Sequence, residues 1–361
     1  MPKMTIRLLS RSGRAAVLSA LVILLLCQTA ACRRIPSAGE ETGGSVPVSE
    51  TPSPAPSTES GDPSAPSRPA SLPPLSVTDG RLTDDKGKPV QLRGVSTHGI
   101  CWFPEYINAG AFASVKAAGA NVVRLAMYTD GPDGYVNQPE ENLLRVRMGI
   151  ENARALGLYV IVDWHILNDG DPNRYRDQAI TFFDAVASAY GDDPCVIYEI
   201  CNEPNGVDWQ QVMEYAWAMI PVIRQYAPHA LILVGVPNYG FDLRSAMYRP
   251  LEGENLMYTF HYYPGERTDY SVLDEALDAG LPVFVSEWGI GSGPDGRTAL
   301  AEGEAFAAHL NSRGISWCAW SLCNKDEPYS LLKPVCRKLS GFTQEDYSPS
   351  GNVIINALGG D

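Results

Sequence analysis

Two carboxylates stand where chemistry would be done. Ile197 to Asn205 reads IYEICNEPN, a short, mostly apolar run that ends in Asn202, Glu203 and Pro204. Val283 to Gly291 reads VFVSEWGIG, again an apolar run closed by a carboxylate, Glu287. A glutamate at the carboxyl end of a buried parallel strand lies on the floor of the loops that strand feeds, where reading it as catalytic is better founded than reading it as solvated surface. Each Glu also precedes a Pro or a Trp rather than a polar turn. Two such groups, one as general acid and one as nucleophile, are what glycoside hydrolysis by double displacement requires.

Elements able to hold these residues recur along the chain. Strand patterns fall near Leu92–Val95, Val122–Ala126, Tyr159–Asp163, Val196–Ile200, Leu231–Gly235, Met257–Phe260, Val283–Ser286 and Ile315–Ala319. Helical patterns lie between them at Ala111–Ala118, Glu140–Leu156, Tyr175–Tyr190, Trp209–Tyr226, Tyr270–Ala279 and Thr298–Asn311, with a short one at Phe241–Tyr248. The strand near Leu231 has the weakest helix behind it. Alternation of this length predicts an α/β fold, a (β/α)₈ barrel. A hairpin precedes it, with turn residues at Asp79-Gly80 and Lys86-Gly87. An open doubly wound sheet is the competing architecture, but no Gly-x-Gly-x-x-Gly follows any strand.

Polar and aromatic residues gather at the same strand ends. His98 lies in GVSTHGICW with Trp102 behind it, Arg124 and Tyr128 in NVVRLAMYT, and His165 in VIVDWHILND. His261 and Tyr263 end YTFHYYPG, and Trp320 lies in WCAWSLCNKDE ahead of Lys325 and Glu327. Three of the chain's five histidines are therefore strand-terminal. A charge inside a barrel strand demands a partner, so Arg124 is expected to meet Glu287. A metal-dependent hydrolase built on His98, His165 and His261 is the alternative chemistry, and a non-catalytic barrel that holds glucan on its tryptophans the alternative without chemistry.

From Leu72 onward the chain resembles glycoside hydrolase family 5, and within it the bacterial endo-1,4-β-glucanases. The resemblance is carried in order by HGICW, NVVRLAMYT, VIVDWHILNDGDPN, VIYEICNEPNG, TFHYY, VFVSEWG, WCAWSL, NKDE and GFTQEDYSPSG. It implies a retaining mechanism with no cofactor and no metal. By the same resemblance Glu203 is the acid/base, Glu287 the nucleophile, Asn202 the amide at the sugar 2-hydroxyl and Arg124 the guanidinium beside the nucleophile. His165, His261 and Tyr263 support catalysis. His98, Trp102, Phe103, Tyr128, Trp320, Lys325 and Glu327 occupy glucan-contacting positions. Two positions depart from the family pattern: Cys101 stands where Gln is frequent and Phe103 where Tyr is. Arg124 and Tyr263 are expected to lower the pKa of Glu287, whose charge in turn raises that of Glu203.

The remaining composition sets the context. The formal net charge of −14 argues against nucleic acid or an anionic membrane surface as partner. Residues 1–32 read as a signal segment: Lys3, Arg7, Arg11 and Arg14, then apolar Ala15 to Leu26, then Thr29-Ala30-Ala31. Cys32 follows directly, as a lipid-attachment cysteine would, and predicts a tether on the outer face of a bacterial membrane, with plain secretion the alternative. Residues 33–74, rich in Pro, Ser and Thr, read as an extended linker, and 75–361 as the catalytic domain. Cys201 and Cys318 read as core residues, while Cys323 and Cys336 are spaced to bridge a loop. The expected partner is a β-1,4-glucan bound by a monomer. Mannan, xyloglucan and mixed-linkage glucan stay open, and crystalline cellulose is less expected than soluble chains.

Overall fold

The computed structural model describes residues 72–191, 193–293 and 295–359. The signal segment, Cys32 and nearly all of the linker lie outside them.

The described chain begins with a hairpin, β1 (Leu75–Thr78) and β2 (Arg81–Asp84). Asp79 and Gly80 both take positive φ, 50° and 72°, the primed turn that suits the twist of a two-residue hairpin. Gly80 is also demanded by space, since a Cβ there would lie 2.5 Å from the Gly280 carbonyl oxygen.

Eight parallel strands then close on themselves: β3 (Arg93–Thr97), β4 (Val122–Tyr128), β5 (Tyr159–His165), β6 (Val196–Glu199), β7 (Ile232–Val234), β8 (Leu256–Tyr262), β9 (Val283–Trp288) and β10 (Trp317–Leu322). The ring is completed by β10 pairing with β3. This is the (β/α)₈ barrel the alternation predicted, with the hairpin as a separate antiparallel sheet. The outer helices are α1 (Ala109–Ala117), α2 (Pro139–Ala155), α3 (Arg176–Tyr190), α4 (Trp209–Arg224), α5 (Leu243–Tyr248), α6 (Ser271–Asp278) and α7 (Leu300–Arg313). Several start on local signals. Pro139 opens α2 at a position whose N–H needs no partner, and Asp208 with Gln211 forms a capping box on α4.

The weak segment differs from expectation in detail. β7 is only three residues long, and the short helix begins at Leu243, not Phe241. Between them Asn238 and Tyr239 both lie in the left-handed region, a sharp turn that a helical pattern does not reveal. A further helix, α8 (Pro349–Leu358), was not anticipated. Ser348 caps it by accepting from the Gly351 N–H, and buried Val353, Ile354 and Leu358 dock it on the core. The Cys323–Cys336 bridge is not formed. All six described cysteines are free, Cys323 Sγ lying near the hydroxyls of Ser321 and Ser330.

The core has two parts. One fills the space between barrel and helices, with Trp164, Phe182, Trp288 and Phe306 among its largest members. The other is the interior floor, where Leu92, Val122, Ile161, Ile197, Leu233, Met257, Phe284 and Cys318 meet Leu75 and Leu82 of the hairpin. Cys318 is thus the core residue expected, inside the barrel, whereas Cys201 belongs to the outer core.

Candidate active site

Side chains on a strand alternate between faces, and this places the site. On β4 Val122 points to the floor and Arg124 is one step above it. On β5 Ile161 is followed by Asp163 and His165, on β6 Ile197 by Glu199, on β8 Met257 by Thr259 and His261, and on β9 Phe284 by Ser286. Arg124 is completely buried. Its Nη1 donates to Glu287 Oε2 at 2.8 Å, the partner expected, and to Ser96 Oγ at 3.3 Å. Its Nε and Nη2 donate to Glu199 at 2.7 and 3.1 Å, and Nη2 also reaches Asn202 Oδ1 at 2.6 Å and Asp163 Oδ2 at 3.0 Å. One guanidinium is therefore shared by three carboxylates, not one.

The two glutamates sit in different fields. Burial would raise Glu287, but the charges of His261 and Arg124 and the Tyr263 hydroxyl, donating to Oε1 at 2.6 Å, hold it below the ordinary carboxylate range. Burial raises Glu203, and the charge of Glu287 adds to it, while the bond from His261 Nδ1 at 2.9 Å opposes. The direction matches expectation, but the leading cause is loss of water, with the neighbouring charge second. One oxygen of each carboxyl and a nitrogen of His261 lie within 4.8 Å of one another. Glu199, held by Arg124 against burial, is lowered to about 2. Burial pushes Asp163 up; Arg124 opposes, but the charges of Glu199 and Glu287 add to the rise.

The supporting residues are fixed by their own bonds. His165 Nδ1 lies 2.6 Å from Asp163 Oδ2, which leaves Nε2 facing the site, and burial with Arg124 lowers its pKa to about 3. Asn202 Nδ2 donates to the Ile166 carbonyl at 2.9 Å, so one amide hydrogen is committed and the other faces His165 Nε2 across 3.4 Å. Burial works against a charge on His261, but Glu199 and Glu203 lift it to about 10.

Next to the carboxyl pair, the residues expected to contact substrate form one aromatic wall. His165 stacks on Trp320 with centroids 5.3 Å apart, Tyr128 lies 4.2 Å from His165 and 4.4 Å from Trp102, and His98 touches Trp320 and Phe103 at 5.1 and 4.8 Å. Trp102 is 41% exposed, enough for its ring to meet a ligand. Lys325 pairs with Glu327 at 2.6 Å and reaches His98 Nε2 at 3.3 Å, while His98 Nδ1 accepts from the Gly99 N–H. Burial and Lys325 lower His98 to about 3. Every residue singled out from the described sequence thus lands at this end of the barrel.

The three histidines do not converge as metal ligands. Among the described residues the only set with ligand spacing is Glu203, His261 and Glu287, and there His261 bonds Glu203 while Arg124 and Tyr263 occupy Glu287. Five residues of the site escaped the sequence reading: Ser96, Asp163, Glu199, Thr259 and Ser286. All lie on the inward phase of their strands, so counting by two from Ile161, Ile197, Met257 and Phe284 would have found four of them. The Tyr239 N–H donates to the carbonyl of Pro204, the residue after Glu203, from a turn with no periodicity to read.

Comparison with known proteins bears on this geometry. Residues 83–326 match the sequence model of the cellulases, glycosyl hydrolase family 5. The chain belongs to glycoside hydrolase family 5. Endoglucanase A of Butyrivibrio fibrisolvens is 44% identical over 295 residues, covering 79% of this chain and 68% of that protein. Endoglucanase 5 of Pectobacterium carotovorum subsp. carotovorum is 42% identical over 286 residues, covering 78% of this chain but only 56% of its own length. Among solved structures, the catalytic domain of Thermobifida fusca endoglucanase Cel5A superposes with a TM-score of 0.74 at 34% identity, covering 79% of this chain and 96% of that one. This family 5 barrel is accordingly a glycoside hydrolase domain of the endoglucanase kind.

Proposed function

We propose that the chain cleaves internal β-1,4-glucosidic bonds of accessible glucan chains with retention, Glu203 serving as acid/base and Glu287 as nucleophile. The observation that carries this reading is the carboxyl pair itself: close enough for direct attack, where inverting enzymes hold a gap of about 6.5–9.5 Å for water, and with pKa values pushed in opposite directions.

In the first step a Glu287 oxygen attacks the anomeric carbon while Glu203 passes its proton to the departing glycosidic oxygen. The glycosyl ester removes the charge on Glu287, so the pKa of Glu203 falls and it can accept a proton from the incoming water. Water then takes the sugar, Glu203 is reprotonated and Glu287 is released as carboxylate. Arg124 locks the Asn202 carbonyl, and the amide hydrogen that faces His165 Nε2 across a long 3.4 Å is the one offered to the sugar 2-hydroxyl. Trp102, Tyr128 and Trp320 supply ring faces for pyranose stacking, and His98, Lys325 and Glu327 supply hydroxyl partners.

The deciding experiment separates the two glutamates. Glu203→Ala should lose about 10²–10⁴-fold on glucan but retain glycosylation by an aryl cellobioside whose phenolate leaves unaided. Azide should then restore turnover as a β-glycosyl azide. If azide rescues Glu287→Ala with the β-product instead, the roles are reversed. A panel of cellulose, mannan, xyloglucan and mixed-linkage glucan assigns the backbone, and mannan as best substrate would overturn the glucan reading.

The leader supports a further part of the proposal. Cys32 after Thr29-Ala30-Ala31 would carry a lipid, with the Pro-rich linker holding a monomeric barrel away from the outer membrane face. Cys32→Ser should then move the enzyme from membranes to the medium; a fully soluble wild type would refute the tether.

A further inference from the structure

Ser286 has a place in the site that none of the assigned roles uses. It is completely buried on β9, on the inward face one residue before the nucleophile. Its hydroxyl donates to Glu199 Oε1 at 2.8 Å, and its oxygen lies 3.0 Å from His261 Nε2. A hydroxyl has one hydrogen. Glu199, ionised and bound twice by Arg124, can only accept, so that hydrogen is spent on Glu199 and a lone pair faces His261. His261 Nε2 must therefore carry hydrogen in either charge state of the ring. Glu199 cannot replace this contact directly, its oxygen being 3.9 Å from Nε2. The ring has little freedom to turn away, because Gly240 packs against it so closely that a Cβ there would stand 2.7 Å from His261 Cγ.

We propose that Ser286 is a positioning residue for the acid: by holding Nε2–H of His261, it reserves Nδ1 for Glu203 and makes Glu203 and His261 release their proton as one unit. The inference rests on the reading of Glu203 as the acid. The hydrogen bonds then form an unbroken path from nucleophile to acid, Glu287–Arg124–Glu199–Ser286–His261–Glu203, drawn from four strands and the loop after β6. Groups of both signs act on His261. Glu203 and Glu199 flank its two nitrogens, Glu287 comes from β9, Asp163 and His165 from β5, and Arg124 from β4. The neighbouring Tyr263 stays neutral and hydrogen-bonded to Glu287. Removing the Ser286 lone pair withdraws an acceptor from Nε2–H in both charge states, but the bond is stronger to the charged ring, so the unit should hold its proton less tightly.

The test uses Ser286→Ala and Ser286→Thr in the otherwise intact enzyme, with melting temperature recorded for each. In Ser286→Ala the alkaline limb of kcat/KM on glucan should move to lower pH by about one unit, the scale of one hydrogen bond. Activity on glucan at that limb should fall about tenfold, glycosylation by an activated aryl cellobioside should hold, and Ser286→Thr should restore the wild-type limb. An unmoved limb in folded Ser286→Ala, or equal losses on both substrates, would overturn the proposal. Nitrogen chemical shifts of His261 in the wild type give a readout independent of any variant. Nε2 should stay protonated through the alkaline limb while Nδ1 titrates, and the opposite order would refute it. Azide rescue of Glu203→Ala as the β-product establishes the acid separately, so failure here leaves that assignment standing.

Discussion

The barrel interior has two ends built on one alternation. At the floor the inward residues are Leu92, Val122, Ile161, Ile197, Leu233, Met257, Phe284 and Cys318, sealed by Leu75 and Leu82 of the hairpin. Two residues further along the same strands they become Arg124, Asp163, Glu199, Thr259 and Ser286, all fully buried. Water is excluded from both layers, but the cohesion differs. Floor contacts are non-directional and scale with area, so a side chain can be trimmed at a cost set by the cavity it leaves. In the upper layer each charge is tolerable only because a particular partner meets it, and Arg124 alone serves Asp163, Glu199 and Glu287. Stability there is a by-product of an arrangement whose gain is two carboxyl groups with pKa values pushed apart.

The largest effect that can be asked of this contrast is Glu287→Ala. It should abolish turnover by about 10⁵–10⁶-fold on glucan and aryl cellobioside alike, as removal of a nucleophile does. Arg124 would still be held by Glu199 and Asp163, so folding should survive. Steady-state rates with thermal melting check both halves, and a collapse in melting would show that the upper layer cannot spare even one partner.

Arg124→Ala should come next. It leaves Glu199 and Glu287 without their cation and Asp163 without its donor, and should cost about 3–5 kcal/mol of stability, along with most of the activity of the folded fraction. Denaturant unfolding with rates normalised to folded enzyme would measure it. Unchanged stability would mean that these carboxylates are neutralised by protons rather than by the guanidinium.

A smaller and reversible effect is expected from acid. In the proposed roles, activity needs Glu287 ionised and Glu203 protonated. Glu287 is lowered and Glu203 raised, so the profile should be a bell with its acid limb below, and its alkaline limb above, the ordinary glutamate value of 4.5. Glu199 sets the folding side. Its pKa is depressed to about 2, so its contribution is full above 4.5 and fades as pH falls toward 2. Activity and the stability contributed by Glu199 should therefore both decline as pH falls below 4.5, and both should return on neutralisation, as rates and denaturant unfolding across the acid range would record. Stability that stays level through this range would place the weak point elsewhere.

The smallest expected change lies at the floor. Ile161→Val removes one methylene from an apolar layer and should cost about 0.5–1.5 kcal/mol, with kcat and KM of the folded enzyme unaltered. A shift in the pH profile of this variant would show that the two layers are coupled, contrary to the division drawn above.

Much of this organisation can be read from the chain alone. Strand and helix periods are local properties, and they located all eight barrel strands to within a few residues. The carboxylates at the ends of IYEICNEPN and VFVSEWGIG, the histidines and the aromatic positions followed from being at strand ends, because in a parallel barrel all such ends face one way. The three-residue β7 and the Asn238–Tyr239 turn were poorly marked, since a left-handed turn has no period. Helix α8 went unread although VIINAL carries an apolar face, because nothing local says that α7 will be there to cover it.

What only the tertiary structure decided was pairing. The sequence made Arg124 need a carboxylate, and Glu287 was one of three that reached it. Glu199 and Asp163 looked like ordinary strand residues until closure of the barrel brought β4, β5, β6 and β9 around one guanidinium. Cys323 and Cys336 looked pairable by spacing and stay apart. Ser286 had no signal beyond its phase. A residue's type and its face are set by neighbours a few positions away. Its partner is set by residues from 75 to 163 positions distant, as Glu199 and Glu287 are from Arg124, and only the closed ring determines which of them share a hydrogen.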